Sequence, residues 1–176
     1  MRGFLAVASF ACLLAACATR TAAVDQRLIL PEGSARYELA DHQAFVFPVP
    51  AGNAAPGFPG AFEPRELPPT TLCASFVVDV TGVVRHVRLL RDPGCADPGV
   101  QPQLGATVVA AVSEWHYQPA MFCTYPDADT RNRDWNGNGC AGAVEEAMPV
   151  AVTLAYAFTF EVRNGRQRVG AARRAD

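Results

Sequence analysis

Val150-Ala151-Val152-Thr153-Leu154-Ala155-Tyr156-Ala157-Phe158-Thr159-Phe160-Glu161-Val162 alternates large apolar residues with small or polar ones. Successive side chains of a strand point to opposite faces, so this pattern predicts one long strand with its large residues toward a core. Upstream, Phe76-Val77-Val78-Asp79-Val80 is rich in β-branched residues and predicts a second strand. Thr81-Gly82 follows as a turn, and Val83 to Leu90 as the return strand of a hairpin. Val84, Val87 and Leu89 break the two-residue period, which predicts a bulge. Between hairpin and last strand, Leu104, Val108, Ala111, Val112 and Trp115 fall on one face of a helix over Gln103 to Trp115, with Pro119 beyond it. The order strand, strand, helix, strand predicts an α+β fold: a small antiparallel sheet with the helix packed on one face.

The chain has 176 residues, half of them apolar and 18% charged. That suits one folded domain and leaves little for a second. The compact domain is expected over residues 71–162. Before it, residues 48–70 hold seven prolines, Pro48 to Pro69, with Gly52, Gly57 and Gly60, and predict a linker without helix or central strand. Residues 18–47 are mixed, with one or two short strands expected between Arg36 and Phe47. Residues 163–176 are Arg-rich and predict a mobile tail, with contact to anionic lipid or cell wall as a minor alternative. A net charge of −2 argues against nucleic acid as the partner.

At the N-terminus, Arg2 precedes an uncharged, mostly apolar run from Gly3 to Thr19. It is short of the roughly 20 residues of a membrane span and has the length of a signal-peptide core. It contains Leu14-Ala15-Ala16-Cys17, which is similar to a bacterial lipobox. That resemblance implies removal of residues 1–16 and lipidation of the Cys17 thiol. Ala18, standing where Asp would signal retention, implies the periplasmic face of the outer membrane. An ordinary signal peptide or an uncleaved inner-membrane anchor is the alternative. With Cys12 inside the signal, Cys73, Cys95, Cys123 and Cys140 remain. An even number in an oxidising compartment predicts two disulfides, with three connectivities open. A metal site is the rival, without any C-x-x-C pair to favour it.

Phe76-x-Val78-Asp79-x-x-Gly82-x-Val84 resembles the first two strands of the TonB C-terminal domain family, with their D-x-x-G turn. Trp115-His116-Tyr117-Gln118-Pro119-Ala120 is similar to the family's W-[RK]-[FY]-x-P-A, and Pro149-Val150 to the entry into its last strand. Pro56-Gly57-Phe58-Pro59 stands where the family has P-x-Y-P, a weaker likeness. The likeness spans roughly residues 56 to 162. It implies a module that binds extended peptides of outer-membrane receptors by adding them to a free sheet edge. By resemblance that edge is the last strand: Val150, Val152, Leu154, Tyr156 and Phe158. The chain departs from TonB in its lipobox, its short uncharged linker, and an insertion of about 28 residues from Met121 to Met148.

A structureless loop of that length is usually functional or stapled. Cys123 and Cys140 bracket much of it and are expected to pair, leaving Cys73 with Cys95 near the open end of the hairpin. Within it, Asp134, Asn136, Asn138, Gly139 and Glu145 fit the calcium-loop pattern D-x-[DN]-x-[DN]-G-x5-E. Flanking helices are not predicted, so an Asn/Gly turn cluster competes with a weak calcium site.

No G-x-S-x-G, H-E-x-x-H or P-loop occurs, and His42, His86 and His116 read as surface or packing residues. The expectation is therefore a non-enzymatic, lipid-anchored periplasmic module that binds envelope proteins or receptor peptides, with no cofactor beyond possible calcium. An inner-membrane TonB-type transducer and a structural envelope lipoprotein are the alternatives.

Overall fold

The computed structural model describes residues 27–28, 38–60 and 64–170. The signal segment, Cys17, Arg173 and Arg174 lie outside them. In chain order the elements are β1 (Arg27–Leu28), β2 (Gln43–Val46), β3 (Val49–Pro50), β4 (Leu67–Val78), β5 (Val84–Leu90), α1 (Pro102–Ser113), β6 (Tyr117–Gln118), β7 (Ala120–Thr124), α2 (Ala128–Asp134), β8 (Glu146–Val150), β9 (Val152–Arg163) and β10 (Arg166–Gly170). The described ladders are all antiparallel, an arrangement compatible with the α+β class. Among the described residues no helix is long and apolar enough to cross a membrane.

The main sheet runs β1-β9-β4-β5, with β10 also beside β9. Its spine is the β4–β9 pair, in constant register from Val78 opposite Val152 to Thr70 opposite Phe160. The alternation expected for the last strand is present: Leu154, Phe158, Phe160 and Val162 are buried in the same core as Leu72 and Phe76 of β4. Helix α1 lays Leu104, Val108 and Val112 on this face. Its Gln101 cap makes no side-chain bond, and neither end carries a charge that would favour the helix dipole. Packing rather than capping therefore holds it, each buried Leu or Val being worth about 1.5–3 kcal/mol. Trp115 plugs the end of the helix, edge-on to Phe76 at 5.8 Å and to Tyr156 at 5.5 Å, and its indole N–H donates to the Ala54 carbonyl at 2.7 Å.

The hairpin turn is built by Asp79. Its carboxylate accepts from the backbone N–H of Thr81 and Val83, from the Thr81 hydroxyl, and from Arg85 Nε. These bonds, the Thr81 hydroxyl first, hold its pKa well below the usual carboxylate range. Gly82 follows at φ +84°, and a Cβ there would lie 1.8 Å from the Tyr117 carbonyl oxygen. The Tyr117 N–H donates to the Gly82 carbonyl at 2.8 Å. The expected bulge is at His86, which takes φ 54° where the β4–β5 register shifts between Ser75 and Val77.

Three expectations need correction. Residues 48–70 are not a free linker: Pro56 is buried, Phe58 meets Phe160 edge-on at 5.3 Å, and β4 begins at Leu67. Pro68 and Pro69 fit because the ladder to β9 slips between Leu67 and Thr70, where their missing N–H groups break no regular pairing. The tail does not leave the fold at residue 163; Asn164 and Gly165, both at positive φ, turn the chain into β10. The insertion is not structureless either, since it contains β7, α2 and β8.

Gly82→Ala is expected to cost at least about 2 kcal/mol, because a left-handed φ and a backbone collision act together. Gly137→Ala, at φ +83° with open space around it, should show only the conformational part, about 1–2 kcal/mol. Urea midpoints at unchanged slope measure both, and equal losses would mean that the Tyr117 contact is immaterial.

Candidate strand-addition edge

The residues proposed as a peptide-binding edge occupy two places. Val150 ends β8 and pairs with Ala120 in a separate sheet of order β2-β7-β8. Val152, Leu154, Tyr156 and Phe158 lie on β9, opposite Val78, Phe76, Ala74 and Leu72 of β4. Leu154 and Phe158 are buried and Tyr156 is half-buried, stacked on Phe76 at 5.7 Å. Their side chains are committed to the core, so only the backbone on the far side of β9 is free to bind.

That far side is not open along its length, which corrects the simple picture of a bare edge. β10 pairs with Thr159 to Arg163, and β1 places Arg27 opposite Ala157 and Leu28 opposite Tyr156. The physical reason is the Asn164-Gly165 turn, which folds the chain back onto its own strand. From Val152 to Ala155 no described strand pairs on this side.

Two other edges are poorer hosts. Among the described residues β2, β5 and β8 each have a ladder partner on one side only. β5 carries the His86 bulge and exposed Arg85 and Arg88, features that twist and charge an edge against pairing. β8 carries Glu146 and Pro149, and proline cannot donate to a ladder. The Val152-Thr153-Leu154-Ala155 stretch has neither charge nor proline.

The insertion forms a second, smaller core. Cys123 pairs with Cys140 and Cys73 with Cys95, at Cα separations of 5.4 Å and 5.7 Å, as the bracketing of the loop implied. Ala44, Cys123 and Tyr125 are buried together, with Val46, Trp135 and Val144 packed against them. Asp127 caps α2 by accepting from the Thr130 N–H at 2.7 Å, a bond that lowers its pKa. Arg131 lies over the Trp135 ring at 4.8 Å. The other face of the β2-β7-β8 sheet carries Phe45 and Phe47, 5.0 Å apart, with Phe47 65% exposed.

The calcium pattern is not assembled. Asp134 is the last residue of α2, and its carboxylate accepts from the Ala143 N–H at 2.8 Å and from Arg133. The same bonds, Ala143 first, lower its pKa. Asn136 closes a turn onto the Asn138 N–H at 2.9 Å, and exposed Glu145 extends the sheet by donating its N–H to Thr124. The side-chain oxygens of Asp134 and Asn136 are thus spent on backbone N–H groups and on Arg133. Among the described residues no group of three His, Cys, Asp or Glu gathers at metal-holding distance. Of the histidines, His116 Nδ1 lies 2.9 Å from the Glu114 carbonyl oxygen, His42 lies beside Asp41, and His86 forms the bulge.

Replacing Cys123 and Cys140 by alanine should loosen the insertion by about 3 kcal/mol in the chain-entropy model. Because the two cores are separate clusters, amide exchange should quicken over 125–144 and stay slow in β4 and β9. For the metal, 10 mM calcium should leave the melting temperature unchanged. A site with a Kd of about 10⁻³ M would add about 1.4 kcal/mol, visible as a shift of several degrees.

Compared with known proteins, the chain matches no family model, no curated protein and no solved structure, so the likeness to TonB domains rests on the sequence motifs alone.

Proposed function

We propose that this protein is a binding module of the bacterial envelope, held at the periplasmic face of the outer membrane by lipid on Cys17, which takes up extended peptide segments by strand addition. The observation that carries this reading is the outer side of β9. It holds two residues in antiparallel register from a segment 130 positions away, and its next four residues carry neither charge nor proline. Backbone pairing of this kind supplies affinity without demanding a particular sequence. Two further observations support it. The D-x-x-G turn and the W-x-Y-x-P-A segment, on which the likeness to TonB domains rests, meet through Gly82 and Tyr117. The two disulfides suit an oxidising compartment. By that likeness the partner would be a receptor of TonB-dependent transport, and the activity binding rather than catalysis.

Intact mass of the chain extracted from host membranes tests the anchor. We expect a chain starting at lipidated Cys17 that gains four hydrogens on reduction; a chain retaining Met1 would replace the lipid with an inner-membrane helix and favour a transducer. Titration with receptor-type peptides, followed by amide shifts, tests the binding. Shifts should cluster at Val152–Ala157. Shifts confined to Phe45 and Phe47 would move the site to the other sheet, and no shift at millimolar peptide would remove peptide binding.

A further inference from the structure

We propose that Asn136-Gly137 is a self-modification site in the insertion: Asn136 loses its side-chain amide as ammonia, and the backbone there becomes aspartyl or isoaspartyl, the second form disturbing the insertion alone. The chain contains three Asn-Gly pairs, Asn136-Gly137, Asn138-Gly139 and Asn164-Gly165. A glycine after asparagine lets the following backbone nitrogen approach the side-chain carbonyl, because no Cβ stands in the way. The structure separates the three pairs. Gly165 donates its N–H to the Arg65 carbonyl at 3.0 Å, and Asn164 donates its own to Glu66, so this turn is fixed and its nitrogens are committed. The Gly137 and Gly139 N–H groups have no hydrogen-bond partner among the described residues. Both glycines are at positive φ, with nothing within 4 Å of where a Cβ would stand, and Asn136 and Asn138 are exposed. Asn136 has one feature more: its side-chain oxygen accepts from the Asn138 N–H at 2.9 Å.

The step needs only water and solvent base. The Gly137 nitrogen gives up its proton to base and attacks Asn136 Cγ. Negative charge then collects on Oδ1, where the Asn138 N–H already donates, the position of an oxyanion-hole donor. The bond from Cγ to the side-chain nitrogen breaks, that nitrogen takes a proton and leaves as ammonia, and a five-membered succinimide ring remains. Water opens the ring. Opening at the side-chain carbonyl gives aspartate; opening at the backbone carbonyl gives isoaspartate, with one extra methylene in the main chain. The place in the fold makes that methylene felt. Trp135 is packed on the second core and Cys140 is tied to Cys123, so residues 136–139 span the gap between two fixed points. Beyond them the Ala141 carbonyl accepts from the Tyr125 hydroxyl, and the Ala143 N–H donates to Asp134. A longer main chain between such ends is accommodated only by loosening these contacts, whereas the aspartyl form adds a charge and no length.

The test ages the full chain at mildly alkaline pH, its two disulfides intact and any free thiol blocked, beside the same chain reduced, alkylated and unfolded in guanidinium chloride. Peptide mapping by mass spectrometry reads each Asn-Gly pair, and electron-based fragmentation separates isoaspartate from aspartate. In the unfolded chain the three pairs should react alike. In the folded chain Asn136 should react fastest, and at least as fast as when unfolded. Asn164 should react about tenfold slower than when unfolded, the factor set by one hydrogen bond that must break first. A folded-chain rate at Asn136 about tenfold below its unfolded rate, or below the rate at Asn138 or Asn164, overturns the proposal. The isoaspartyl product is then compared with the Asn136→Asp variant, which carries the charge without the methylene. Amide exchange over 136–144 should be faster in the isoaspartyl chain, with β4 and β9 slow in both. Equal exchange in the two overturns the claim that the added methylene disturbs the insertion.

Discussion

The approach of the Gly82 backbone to the Tyr117 carbonyl fixes how the two halves of this domain meet. A turn with any side chain at position 82 could not sit there, since a Cβ would lie 1.8 Å from the oxygen. Because the two backbones touch, the segment after α1 is pinned across the hairpin end. Trp115 is thereby set over the aromatic face of the sheet, and the chain is aimed into β7. Asp79 is the other part of this device. One carboxylate binds two backbone N–H groups, a hydroxyl and an arginine, so the turn that presents Gly82 is rigid before anything packs on it. The fold follows: a long two-strand spine, one helix held by packing, and a bridge that ties the helix end to the turn.

Much of that frame was legible because period and burial agree. The alternation from Val152 to Val162, the broken period around Val87 and the helical face through Leu104, Val108 and Val112 all appear where the residues placed them. Asn164-Gly165 is a strong short hairpin signal as well, but the Arg-rich residues that follow it have the composition of a tail. β8 is different in kind: four of its five residues are exposed and one is proline, so no alternation marks it. α2 spans two turns and has no apolar period; only the Asp127 cap announces it. The β4 start was hidden by Pro68-Pro69, whose tolerance depends on a register slip that the sequence of β4 does not encode.

The candidate site was legible in part. The strand and the inward facing of its large side chains were legible from Val152 onward, but Val150 belongs to β8; the strand's neighbours were not legible, because strand order is set by contacts about 130 residues apart. Likewise Asp134, Asn136 and Glu145 have the spacing of a calcium loop, but spacing does not say whether an oxygen faces a cavity or a neighbouring N–H. Here Asp134 faces Ala143 and Asn136 faces Asn138, and the helix that ends at Asp134 withdraws it from the loop.

What β9 has to offer a partner follows from which of its faces is already used. Toward the helix it presents Leu154 and Phe158, buried, with Tyr156 half-buried between them. Toward the other face it presents Thr153, Ala155, Ala157 and Thr159, all small. A strand laid beside it gains backbone hydrogen bonds and meets almost no side chain that would select among sequences. Selectivity under the strand-addition reading must therefore come from the ends of the groove, where Tyr156 stands beside the β1 register on one side and the chain crosses into β8 at Ala151 on the other.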